Sequence, residues 1–282
     1  MNKKSKKNIK NLRKKTQKAG QFMNTKKNNL SSEQTMLNNL IDNYKGTKGR
    51  LIEIKDLPSF ELVNRPSSTL AKIYLKNGES VICSAGSMVM MDPSIKTETK
   101  AQGGIGSAFL RSLFTNASMF MTKYSATKDN SLLAVNDFLP GDILPIIIKP
   151  GTSHNITQKG LICYTPNLEI KTKFNLKNFV MSEGFGQIQM INNSNVNAMV
   201  WIAAYGGFTK IELKEGEEKN IDNGYFLESD SSIDYKVTSS GSLKTTILGG
   251  EGLLMKYKGP AKFYIKSRNL DAFEAFIQIN AQ

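Results

Sequence analysis

Residues able to do chemistry are few in this chain, and their spacing restricts them further. His154 is the only histidine, and Cys83 and Cys163 are the only cysteines. A structural zinc site takes about four such ligands, often including a C-x-x-C pair, so these three residues do not make one. Both thiols are expected to stay reduced, each on a strand. A hydrolase would need a serine aligned with a base. Ser153 adjoins His154, and Ser84 and Ser87 lie upstream. Adjacent strand residues point to opposite faces, however, and no G-x-S-x-G elbow occurs. Paired carboxylates could act as general acid and base. Glu79, Glu183, Glu217 and Glu251 each adjoin a glycine, and their recurrence in similar surroundings predicts that they serve turn backbone or face solvent. Gly103-Gly104-Ile105-Gly106 resembles a phosphate-cradling loop. It lacks the third glycine of a dinucleotide fingerprint and the Gly-Lys-Ser/Thr of a P-loop, so these glycines are expected in turns and bulges. The sequence therefore assigns no catalytic, cofactor-binding or metal-ligating residue.

The elements that would position such residues repeat. Leu75-Lys76-Asn77-Gly78-Glu79 is followed by Gly86 and Ile95, and Leu213-Lys214-Glu215-Gly216-Glu217 by Gly224 and Ile233, 138 residues later without a gap. A looser copy between them runs Ile148-Lys149-Pro150-Gly151, Gly160, Leu168. Apolar residues alternate around each glycine, as in Ala71–Leu75 and Phe208–Leu213, which predicts strands separated by turns. Gly78, Gly151 and Gly216 are expected at equivalent turns. Repeated units of this kind must stack on their neighbours to bury their apolar faces. Asn77-Gly78 and Asn223-Gly224 read as hairpin turns. Ile143–Ile148 is an apolar run broken by Pro145, which places it at a sheet edge or strand start. Phe120, Phe226 and Phe263 read as core. Leu270, Phe273, Phe276 and Ile277 recur at helical spacing, predicting a short C-terminal helix that closes the core.

Charge divides the chain. Residues 1–50 hold 14 Lys/Arg against Glu33 and Asp42, a net +12, which leaves 24 basic and 22 acidic residues, or +2, for 51–282. Residues 1–30 read as a disordered basic arm. Its Lys3, Lys4, Lys6, Lys7, Lys10, Arg13, Lys14, Lys15, Lys18, Lys26 and Lys27 are the candidate polyanion-binding residues. Such binding would be non-specific and salt-sensitive. Ser31–Gly46 has a capping-box start and Met36, Leu37, Leu40, Ile41 and Tyr44 at helical spacing, predicting a short amphipathic helix. Residues 47–59 read as a linker, 60–268 as the β domain and 269–282 as the C-terminal helix. No apolar run reaches the roughly 20 residues of a membrane span, and the first residues lack a secretory signal's apolar core.

Taken in order, a further set of motifs carries a family resemblance. They are Asn77-Gly78-Glu79, Gly86-Ser87-Met88-Val89-Met90-Met91, Gly103-Gly104 with Leu110-Arg111 and Phe120, and Leu139-Pro140-Gly141-Asp142-Ile143. Then follow Glu183-Gly184, Tyr205-Gly206-Gly207, Asn223-Gly224, Gly250-Glu251-Gly252 and Gly259-Pro260. Over residues 60–268 the chain resembles the AIM24 family, also described as tryptophan-RNA-binding-attenuator-like. The resemblance implies an all-β fold, a β-sandwich or short double-stranded β-helix with internal repeats, to which the spacing adds short N- and C-terminal helices. It implies ring-like or trimeric assembly and no established catalytic activity or cofactor. Eukaryotic relatives are associated with the mitochondrial inner membrane, so the resemblance implies a mitochondrial setting, with the cytoplasm as the other intracellular one. The long basic arm is a departure from the family pattern.

The expected function is thus a non-enzymatic scaffold, homo-oligomeric and able to organise a membrane-associated complex. A second reading from another class is a nucleic-acid-binding or virion-type structural protein acting through the arm. An anionic membrane surface and non-specific nucleic acid are the partners the arm suggests.

Overall fold

A computed structural model describes residues 49–100, 121–172, 186–238 and 254–280 of the chain. The basic arm, its eleven candidate residues and the expected helix at 31–46 lie outside the described residues, as do Gly103–Gly106, Phe120, Glu183 and Glu251. The described part is mostly antiparallel β. After β1 (Ser59–Val63), three successive sets of six strands follow. The first comprises β2 (Leu70–Leu75), β3 (Ser80–Ser84), β4 (Met88–Met91), β5 (Ile95–Lys100), β6 (Met121–Ala126) and β7 (Ser131–Val135). The second comprises β8 (Gly141–Ile148), β9 (Ser153–Thr157), β10 (Leu161–Tyr164), β11 (Glu169–Thr172), β12 (Gln187–Ile191) and β13 (Ala198–Tyr205). The third comprises β14 (Phe208–Leu213), β15 (Glu218–Asp222), β16 (Phe226–Asp230), β17 (Tyr235–Thr238), β18 (Leu254–Lys258) and β19 (Ala261–Lys266).

Pairing is the same in every set. The first strand pairs with the sixth, the sixth with the third, and the fifth lies between the second and fourth. The third strand carries an irregularity at one place in each set, between Met88 and Met90, Leu161 and Cys163, and Phe226 and Glu228. Such a bulge re-aims the strand and raises its twist. The turn before each second strand also matches. Gly78, Gly151 and Gly216 have φ of +82°, +72° and +79°, and an amide at each turn donates to the carbonyl three residues back, as Glu79 to Lys76, Thr152 to Lys149 and Glu217 to Lys214. A left-handed turn residue strains any side chain with a Cβ, which is why glycine recurs there.

Sets are joined by sheet pairing. The third strand of one set adds to the second strand of the set before it, as β10 to β3 and β16 to β9. This makes two six-stranded sheets, β5-β6-β3-β10-β13-β8 and β11-β12-β9-β16-β19-β14. The remaining strands form two smaller sheets, β1-β2-β7-β4 and β15-β18-β17.

The core follows from the alternation. β2 buries every second residue, while β8 and most of β13 are buried throughout. Met199, Val200, Trp201 and Ile202 are fully buried, and Trp201 packs edge-on against Phe60 with ring centroids 5.6 Å apart. Each buried large apolar side chain here contributes about 1.5–3 kcal/mol. Phe226 and Phe263 lie in the core as expected, and Pro145 lies on β8, the end strand of its sheet, where a missing N–H is tolerated.

Three expectations are corrected. Asn77-Gly78 does not close a hairpin, because β2 and β3 belong to different sheets; it turns the chain from one layer to the other. Asn223-Gly224 sits in a single 3-10 turn, Asn223–Tyr225, capped by Asp222. A Cβ at Gly224 would meet the Asn269 side chain, which caps the following helix. The C-terminal helix, α1 (Leu270–Asn280), forms but does not close the core. Leu270 is buried, while Phe273, Phe276 and Ile277 are 41–60% exposed. The Asn269 carboxamide caps its first turn, and it is held by Lys159 to Asp271 at 2.5 Å and by Tyr205 against Phe273.

Candidate functional site

Among the described residues, the chemistry-bearing ones are each taken up by a structural partner. Glu79 and Glu217 accept from the amides of Lys76 and Lys214, both at 2.8 Å, closing their own turns. Ser84 donates to the Leu161 carbonyl, Ser87 to the Ser84 carbonyl, and Ser153 bonds Ser231. His154, on β9, has Nδ1 2.5 Å from Glu228 Oε1 on β16. Burial alone would lower its pKa, but the hydrogen bond and charge of Glu228, with Asp230 behind, raise it above the ordinary histidine value. Cys83 and Cys163, read separately in the sequence, lie directly opposite each other on β3 and β10. Both are fully buried, with sulfurs 3.1 Å apart. Burial, then the neighbouring thiol, pushes Cys163 well above the usual range, which disfavours the thiolate.

Sequence reasoning missed a buried ion pair where the sets converge. Arg65 donates to Asp142 through Nε at 2.9 Å and Nη2 at 2.8 Å. Thr69 Oγ1 and the Ile143 amide donate to the same carboxylate at 2.7 and 2.9 Å. The guanidinium also lies 5.7 Å from the Phe208 ring centroid. The pair thus ties the segment before β2 to β8 and to the start of β14. Full hydrogen bonding is what makes such a pair tolerable in the interior. The only sequence signal was Asp142 following Pro140-Gly141. Nearby, burial lowers the Lys266 amine and raises Asp137 to about 6. Among the described residues no group of three or more His, Cys, Asp or Glu is placed to hold a metal ion.

The remaining feature is a pair of open edges. β4 ends one of the small sheets and β15 the other. Among the described residues no strand pairs with their outer sides. β4 presents Met88, Val89, Met90 and Met91, 36–52% exposed, while β15 presents Glu218, Lys219 and Asn220 to solvent.

Residues 60–268 match the family described as Mitochondrial biogenesis AIM24. The chain belongs to the AIM24 family. An uncharacterized protein of Streptococcus pyogenes serotype M6 is 26% identical over 211 residues, which cover 72% of this chain and 83% of that protein. A Streptococcus pyogenes protein solved by X-ray crystallography aligns with a TM-score of 0.61 and 21% identity, covering 83% of this chain and 100% of that one. That likeness bears on the fold. Among the described residues no helix is long and apolar enough to cross a membrane.

Proposed function

We propose that this AIM24-family chain is a non-enzymatic scaffold whose β domain self-associates. The observation that carries the reading is the pair of unpaired sheet edges, one of them an apolar strand. An open edge is a template for another chain, and an exposed apolar patch on a folded protein marks an interaction surface. The absorption of His154, the cysteines, Glu79 and Glu217 into structural contacts supports the same reading. Residues 1–50, at +12 against +2 for the rest, favour a second role, in which the arm holds the assembly to a polyanion. An anionic membrane surface fits the first reading; nucleic acid would make the protein a nucleic-acid-binding or virion-type structural protein.

Light scattering coupled to gel filtration tests this with the full-length chain and a version lacking residues 1–30. Concentration-dependent assembly in both, with polyanion binding lost from the shorter one, is the expected outcome. A monomer at every concentration would sink the scaffold reading. Assembly seen only with the arm and added nucleic acid would favour the second reading. Salt-insensitive polyanion binding by the shorter chain would place a site on the β domain instead.

A further inference from the structure

We infer that the two open edges join copies of this chain. β15 of one copy pairs antiparallel with β4 of the next, with Ile221 opposite Met90, Asn220 opposite Met91 and Lys219 opposite Asp92. This rests on the scaffold reading and names its contact. The template is inside the molecule, where second and third strands of adjacent sets already pair twice. Cys83 faces Cys163 and Ile82 faces Tyr164 at one junction. Ile156 faces Glu228, Asn155 faces Ser229 and His154 faces Asp230 at the other.

The positions map without adjustment. Cys83, Ile156 and Ile221 each lie five residues after their turn glycines, Gly78, Gly151 and Gly216. Cys163, Glu228 and Met90 are each the first paired residue after the bulge of a third strand. Among the described residues, Ile221 of the third set and Met90 of the first therefore have no such counterpart in their own chain. Joining them would make a sheet β17-β18-β15-β4-β7-β2 with the strand order of the two that are whole, extended by β1 beyond β2.

Burial and charge agree with this. The strand equivalent to β4 is buried along its length in β10 and over Phe226–Ser229 in β16. β4 is as apolar as either and lies exposed. Opposite charges would meet at Lys219 and Asp92, where the closed junction places His154 by Asp230. The two edges differ, so the contact is head-to-tail; it closes into a ring if the rotation allows and otherwise extends.

The test mixes full-length Met90→Cys with full-length Ile221→Cys under mild oxidation. Met90 is exposed, but Ile221 is half-buried against the third set's core, so the opposing exposed pair Met91→Cys and Asn220→Cys is mixed in parallel and must give the same result; buried Cys83 and Cys163 provide the wild-type background. The expected result is a disulfide-linked dimer in the mixture, absent from wild type and from either variant alone. Lys219→Glu, which sets like charges opposite each other, should weaken the association by about fivefold. A dimer from Met90→Cys alone would mean that β4 pairs with itself and would overturn the register. So would a cross-link formed within single chains of the double variant, which would mean that the edges close on themselves. If the protein assembles by light scattering but the mixture does not cross-link, this contact fails and the scaffold reading stands. A monomer throughout ends both.

Discussion

β10 and β4 occupy the same slot in successive sets, yet one is buried and the other bare. Leu161, Ile162, Cys163 and Tyr164 are at most 5% exposed, against 36–52% for Met88–Met91. Local sequence does not explain this, since both are four-residue apolar strands with a bulge in the same place. The difference is what precedes them. β10 has β3 of the first set to pair with, and among the described residues no earlier set precedes β4. In a repeat protein, burial is set by neighbours, so the ends keep the character of an interior that has not been covered. β15 shows the converse. Among the described residues it is a second strand without a following third strand, and it carries Glu218, Lys219 and Asp222 where β3 carries Ser80, Val81 and Ser84.

The largest effect should come from the pair that ties the sets together away from the sheet junctions. Asp142→Ala leaves the Arg65 guanidinium buried without its carboxylate, and we expect a loss of about 3–5 kcal/mol in denaturant unfolding. A loss below about 1 kcal/mol would show that Arg65 reaches solvent easily. Next comes the matched pair in equivalent slots. Leu161→Ala should cost about 2–5 kcal/mol, whereas Met88→Ala in the isolated chain should stay within about 0.5 kcal/mol. Equal effects would break the comparison between covered and bare strands. If copies pair through β4, the Met88→Ala cost should grow with protein concentration while the Leu161→Ala cost should not. Below these lie Gly78→Ala, Gly151→Ala and Gly216→Ala. A Cβ at each meets open space, so only the left-handed backbone is penalised, by about 1–2 kcal/mol and by similar amounts at all three. Unequal values would show that the three turns are not equivalent in energy.

How much of this could be read beforehand follows from how local each feature is. The three turn glycines, the alternation in β2 and β14 and the capped C-terminal helix are written in a few adjacent residues. Pairing is not. Asn77-Gly78 has the residues of a hairpin turn, but β2 finds β7 and β3 finds β6, because the layers are chosen by which face must be buried. The helix spacing of Phe273, Phe276 and Ile277 was legible, but not whether a surface would receive them. Cys83 opposite Cys163, His154 beside Glu228 and Arg65 against Asp142 join residues 74–80 positions apart. They become visible only once the repeat is turned into a sheet register.

The smallest expected signal belongs to the second closed junction, where a titrating residue sits in place of an apolar one. His154 faces Asp230 across β9 and β16 and bonds Glu228. Burial opposes its charge and Lys149 opposes it further, but Glu228 and Asp230 prevail, and its pKa in the folded chain is raised. The unfolded chain has the ordinary value near about 6.5. The folded state thus binds the proton more tightly, and the stabilisation is fully present below that ordinary value. It is lost as pH rises through the raised one. Asp137, raised to about 6, drifts in the same direction at lower pH, so the test must be a difference. Unfolding free energies of wild type minus His154→Gln should be largest in mild acid and decline as pH rises above the ordinary histidine value through the raised one. A flat difference would mean that His154 stays neutral and that Glu228 is held by hydrogen bonding alone. A difference that rises with pH would mean that burial outweighs the carboxylates. In either case the ion pair at this junction would no longer support the Asp92–Lys219 pairing expected at the open one.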